Sequence, residues 1–175
     1  MTSLAPETWP QDIYQVLVDN RVRQVAYIPD IGHASLIKMC HKSDNMKTVV
    51  LTTEEEGVAL LAGAWLGGDR GVLLMQSSGV GNCINMLSLI RVCRMPLLIL
   101  VTMRGEWGEF NPWQVPMGQN TNHVLTTAGV LTFEVNDKDC IKETLEAAAT
   151  MAFEGSATTA VLISQRILGA KTFGR

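Results

Sequence analysis

The chain has 175 residues, of which 47% are hydrophobic and 18% charged, with a formal net charge of -3. That is enough apolar material for one well-buried domain and excludes a disordered chain. No apolar segment approaches the length of a membrane span, and no basic run offers nucleic acid an electrostatic footprint. The slight acidity provides no long-range attraction for an anion, so recognition of one must be local.

In chain order, residues 1–10 read as a loose arm and residues 11–20 as an amphipathic helix. Residues 25–28 form a buried strand that ends at Pro29-Asp30. A helix is expected over residues 34–40 and a strand over 48–51. Thr53-Glu54-Glu55-Glu56 is a Thr-x-x-Glu capping box, which makes Thr53 the N-cap of a helix carrying Val58, Leu61, Ala62 and Trp65 at helical spacing. A strand over residues 71–75 leads into a serine- and glycine-rich loop, Gln76 to Asn82, and then a helix over 81–93. Residues 96–101 are an unbroken apolar run, the mark of a strand covered on both faces. An aromatic loop occupies residues 103–114. The chain closes with a strand at 131–135, an alanine-rich helix at 139–153 and a strand at 160–164.

About six strands alternate with helices, without internal repeats. The fold class is therefore α/β, a doubly wound, mostly parallel sheet with helices on both faces, in a single domain over residues 1–175. Right-handed crossovers put every carboxyl strand end on one edge, where such sheets bind ligands. Residues 29–33, 52–55, 76–82, 102–106 and 165–166 all fall there.

Several chemistries are weak. Ser78-Gly79-Val80-Gly81-Asn82 lacks the third glycine of a dinucleotide loop, there is no phosphate loop of the GxxxxGK type, and Ser77 and Ser78 lack the GxSxG setting of a nucleophile. Cys40, Cys83, Cys93 and Cys140 have no metal-ligand spacing and read as reduced thiols, so no metal site is expected. With no leader-like segment, the expected compartment is cytoplasmic. The three glutamates either complement the helix dipole or present one carboxylate inward. Glu56 is taken by the cap and Glu54 is expected to face solvent, leaving Glu55 as the candidate. His33, on the binding edge, is either a hydrogen-bonded structural histidine or a substrate contact. Arg104 either forks onto an acidic substrate or pairs with Glu106 or Glu109.

Glu55-x-Gly57 with the small and apolar run behind it resembles the pyrimidine-binding domain of thiamine-diphosphate enzymes, in which a glutamate opens just such a helix. Met75-Gln76-Ser77-Ser78-Gly79-Val80-Gly81-Asn82 resembles that domain's serine/glycine turn. The spread of Pro29-Asp30, TTEEEGVALLAG, LMQSSGVGN and TMRGE is similar to the decarboxylases of this family that act on sulfopyruvate and phosphonopyruvate. The resemblance implies thiamine diphosphate as cofactor, with Glu55 as the catalytic carboxylate at the aminopyrimidine. It also implies Ser77, Ser78, Gly79, Gly81 and Asn82 around the cofactor, and His33 and Arg104 toward a small anionic 2-oxo acid. The family's Gly-Asp-Gly run for magnesium and diphosphate is missing, since Gly68-Asp69 continues as Arg70. A partner, a beta-type subunit, is therefore expected to carry Mg2+ and the diphosphate. The competing expectation is a non-catalytic α/β binding or regulatory module that uses its aromatic loop for protein contact.

Overall fold

Six parallel strands form one sheet in the order β2-β1-β3-β4-β6-β5. They are β1 (Val22–Tyr27), β2 (Lys47–Val50), β3 (Arg70–Gln76), β4 (Leu97–Thr102), β5 (Leu131–Val135) and β6 (Thr158–Ile163). The computed structural model describes residues 8–169; the first seven residues of the expected N-terminal arm lie outside them. All six expected strands are present, and the α/β, doubly wound architecture is as expected. Every residue of β4 is buried, because that strand sits centrally with helices over both faces.

Alternation along the strands feeds two cores. Val72 and Leu74 point to the face covered by α1 (Trp9–Asp19), α2 (Ala34–Lys42) and α7 (Ile141–Phe153). Leu73 and Met75 point to the face covered by α3 (Glu54–Leu66), α4 (Ser77–Cys83), α5 (Leu87–Cys93) and α6 (Val115–Thr127). The stripe Trp9, Ile13, Val16, Leu17 fixes α1 against the first face, and Pro10 falls in its first turn, where no helical hydrogen bond is lost. Strand order reverses between β1 and β3, so the chain leaves these neighbours toward opposite faces and opens a crevice at their carboxyl ends.

Three elements differ from expectation. The glycine-rich segment after β3 is helical from Ser77 onward, and the helix expected over 81–93 is divided into α4 and α5 by a turn at residues 84–86. Small residues permit this: a Cβ on Gly79 would lie 2.3 Å from Oε1 of Glu54, so only glycine lets α4 pack this closely on α3. The third difference is α6, which the sequence did not announce. Its Pro116 sits in the first turn, and its Gly118 lies against the chain after β4, where a Cβ would fall 2.1 Å from the carbonyl oxygen of Arg104. Residues that read as helix breakers are thus a permitted start and a close backbone contact. The last described helix is α8 (Gln165–Leu168).

Candidate functional site

Polar side chains knit the carboxyl ends of β1, β3 and β4 together at the crevice. Asp30 accepts hydrogen bonds from the Gly32 amide (3.0 Å), Gln76 Nε2 (3.1 Å) and Thr102 Oγ1 (2.6 Å). Gln76 Oε1 in turn accepts from the hydroxyl of Ser78 at 3.0 Å, so the chain of bonds runs from the centre of the edge to α4. Ser77 is sealed: its hydroxyl donates to the Arg104 carbonyl at 2.9 Å and accepts from the Arg104 amide at 3.0 Å, locking the end of β3 to the end of β4.

The three glutamates divide differently from the sequence expectation. Glu54, expected to face solvent, is 8% exposed, and its Oε2 accepts from Asn82 Nδ2 at 2.7 Å. The Glu55 side chain is exposed and has no hydrogen bond among the described residues. A helix turns about 100° per residue, so Glu54, one turn below Val58, shares the buried stripe while Glu55, the next residue, is turned out of that stripe and exposed. Glu56 is exposed and reaches back to the Thr52 amide (2.9 Å) and hydroxyl (2.6 Å). The hydroxyl bond, more than the amide bond, holds its carboxyl below the usual range. The capping box is therefore half formed and shifted, since Thr53 is the N-cap but its side chain caps nothing.

His33 and Arg104 are both committed to the protein. His33 is fully buried, and its Nε2 lies 3.2 Å from the Leu100 carbonyl, which requires the proton to be on that nitrogen. No surface is left for a ligand. Burial pushes its pKa down, against a smaller opposing pull from the Asp30 charge. The unfolded chain then takes the proton first, so stability falls as pH drops below about 6.5. Between pH 7.5 and 5.5 the unfolding free energy should fall through this group, with a slope no steeper than about 1.4 kcal/mol per pH unit, the limit for one proton. His33→Gln should flatten that part of the profile in urea titrations, and an unchanged slope would remove His33 as its source.

Arg104, expected to be available to an acidic substrate, forms instead the alternative ion pair, donating from Nε and Nη2 to the two carboxylate oxygens of Glu109 at 2.7 and 2.8 Å. The Arg104 hydrogen bonds, helped by the Asn111 amide and Gln165, hold the Glu109 carboxyl down at about 2. Gln165 Oε1 accepts from the amides of Gly105 and Trp107, and Glu106 Oε1 accepts from Ser164 and the Gln165 amide. The aromatic segment is thus pinned to the end of β6, with Arg166 stacked on Trp107 at 5.0 Å. Arg104→Ala strands a buried carboxylate and should cost about 3–5 kcal/mol in denaturant unfolding. A loss below about 1 kcal/mol would show that the pair behaves as an exposed one.

Between α4 and α6 an open groove of about 820 Å³ is lined by Ser78, Gly81, Asn82, Pro112, Trp113, Pro116 and Met117. Asn82 connects this groove to Glu54, and Glu55 is the next residue along the chain. The expected cofactor residues therefore separate: Ser78, Gly81 and Asn82 line the groove, whereas Ser77 and Gly79 are buried and shape it. A smaller cavity of about 160 Å³ on the α1/α2 side is bordered by Asp30, Gly32 and Arg104. Among the described residues no group of three or more His, Cys, Asp or Glu side chains could hold a metal ion, and no helix is long and apolar enough to cross a membrane.

The donor set tests what the groove suits. The Ser78 hydroxyl and the Asn82 amide beside Met117, Trp113 and two prolines suit a flat, neutral, hydrogen-bonding ring. No Lys or Arg lines the groove to meet a diphosphate. The site thus fits the pyrimidine half of thiamine diphosphate and not its charged half. Together, fold and crevice define an α/β protein of the doubly wound class, with its candidate site at the carboxyl ends of the parallel sheet.

Residues 8–128 match the family described as thiamine pyrophosphate enzyme, N-terminal TPP binding domain, and the chain belongs to that family. It is 31% identical to sulfopyruvate decarboxylase subunit alpha of Methanococcus maripaludis, over 86% of this chain and 91% of that one. It is 37% identical to sulfopyruvate decarboxylase of Methanosarcina acetivorans, over 71% of this chain but only 32% of that longer one. In fold it resembles 2-oxoglutarate:ferredoxin oxidoreductase from Magnetococcus marinus, with a TM-score of 0.69, 11% identity, and coverage of 91% of this chain and 29% of that one.

Proposed function

We propose that the chain is the alpha subunit of a thiamine-diphosphate-dependent sulfopyruvate decarboxylase, contributing the pyrimidine-binding half of an active site that a beta subunit completes. The observation that carries the reading is the groove beside the start of α3, polar enough to hold an aminopyrimidine and without a cation for the diphosphate. The near full-length likeness to an alpha subunit supports the same division. Residues 1–175 act as one pyrimidine-binding unit.

When bound, thiamine diphosphate supplies the electron sink for decarboxylation of a 2-oxo acid, here sulfopyruvate to sulfoacetaldehyde and carbon dioxide. Glu55 would place its carboxyl at the pyrimidine ring nitrogen and share a hydrogen bond with it. Ser78 and Asn82 offer polar contacts to the ring edges, and Gly81 leaves room for it to approach, since a Cβ there would touch only Met117, at 3.5 Å or beyond. Ser77 and Gly79 act behind that surface. Mg2+ and the diphosphate belong to the partner. With Arg104 spent on Glu109 and His33 buried, the sulfonate also meets its cation on the partner subunit.

The test combines binding and turnover. Thiamine diphosphate with Mg2+ should raise the melting temperature of the chain mixed with a diphosphate-binding subunit and leave the chain alone nearly unmoved. Sulfopyruvate should be turned over faster than phosphonopyruvate by that mixture. A faster phosphonopyruvate rate would reassign the substrate. A mixture that assembles but gains neither stability nor turnover would leave the non-catalytic module as the reading.

A further inference from the structure

Glu54 is a buried carboxylate without a cation. The ion pairs among the described residues are Arg70 with Glu154 and Arg104 with Glu109, and neither involves it. Its compensation is the Nδ2 of Asn82 at 2.7 Å together with its own place in the first turn of α3. The carboxylate also fills the space that a side chain on α4 would occupy: a Cβ on Gly79 would lie 2.3, 2.4 and 2.5 Å from its Oε1, Cδ and Cγ. One side chain thus fixes both the separation of α3 from α4 and the direction in which Asn82 points. A residue needed only to fill this space would be apolar, since a buried carboxylate costs several kcal/mol to desolvate.

We propose that Glu54 is the positioning residue of the site, setting through Asn82 and Gly79 the geometry in which Glu55 and the groove of α4 meet the pyrimidine ring. The proposal deepens the reading above and rests on it. Glu54 itself touches neither cofactor nor substrate; it acts by orienting the Asn82 amide and by holding the start of α3, from which Glu55 projects, at a fixed distance from α4.

The experiment is a pair swap in the complex assembled with the diphosphate-binding subunit. The readouts are the exchange rate of the cofactor's C2 proton at saturating thiamine diphosphate and Mg2+, the cofactor dissociation constant, and the unfolding midpoint. Asn82→Asp sets two carboxylates against each other at hydrogen-bonding distance and should slow exchange about tenfold or more. Glu54→Gln in the same chain as Asn82→Asp restores a donor facing an acceptor, with the roles reversed, and should bring exchange back to within about threefold of the parent. A merely structural contact would move the midpoint and leave exchange at saturation unchanged.

A second pair covers failure of the first to assemble: Gly79→Ala should slow exchange by pressing on Glu54, and shortening the carboxylate with Glu54→Asp should relieve it. Parent-like exchange in an assembled Asn82→Asp complex, or a double variant no better than the single one, overturns the proposal. Glu55→Gln is run in parallel to separate the two claims. If it blocks exchange while Asn82→Asp does not, the role given to Glu54 fails alone; if it exchanges at the parent rate, the reading of the whole site fails and the Glu54 proposal falls with it.

Discussion

Glu55→Gln should lower C2-proton exchange and turnover in the assembled enzyme by on the order of 10²–10⁴-fold, the range typical of losing a positioned acid-base group. The substitution keeps size and helix propensity, and the exposed Glu55 side chain has no hydrogen bond among the described residues that the fold would miss. The unfolding midpoint should therefore stay where it is, which separates a chemical effect from a structural one. Glu56→Gln is the matched control: the amide can still accept from Thr52, and the side chain is exposed, so exchange should stay near the parent rate and the midpoint should barely move. Full exchange activity in both Glu55→Gln and Glu56→Gln, measured with the cofactor saturating, would end the thiamine mechanism assigned to this chain. Loss of exchange in Glu56→Gln with Glu55→Gln normal would move the catalytic carboxylate one residue along.

The sheet was legible because five of its strands are short apolar runs bounded by turn residues, and β5 alternates. The central β4 is buried over its whole length, and six consecutive apolar or β-branched residues have few other uses in a chain of this size. The register of the glutamates was legible too, by a signal the capping-box argument overrides. Glu54 precedes Val58 by four residues and Leu61 by seven, so the buried stripe of α3 passes through Glu54 and not Glu55. What local pattern could not supply were the long-range commitments. His33 reaches a carbonyl 67 residues away, and Gln165 binds a loop about 60 residues before it. Nor could α6 be read, because its buried positions are Gly118, Thr121 and Leu125 and no apolar stripe marks it. Its place is set by the backbone contact of Gly118 with residues 104 and 105.

The isolated chain should show no decarboxylase activity above background, and adding the diphosphate-binding subunit should create it. The sequence contains no Gly-Asp-Gly run, and the groove is lined by two hydroxyl- or amide-bearing side chains, glycine, prolines, Met117 and Trp113, none of which neutralises a diphosphate. A cofactor bound here by its ring alone would keep its charged end in water, with weak affinity and no fixed geometry for the reacting carbon. Activity should therefore rise with added partner and saturate at a fixed ratio of subunits. Trp113, 82% exposed at the rim of the groove, offers the optical report, since closure by the partner should shift its fluorescence along the same titration curve. Trp107, with its ring under Arg166, should respond less. Trp113→Ala should move the activity titration to higher partner concentration while leaving the chain's own unfolding midpoint unchanged; if the curve does not move, the partner closes the site from another direction. Robust turnover by the rigorously purified chain alone would show that the charged half of the cofactor is held within these 175 residues after all.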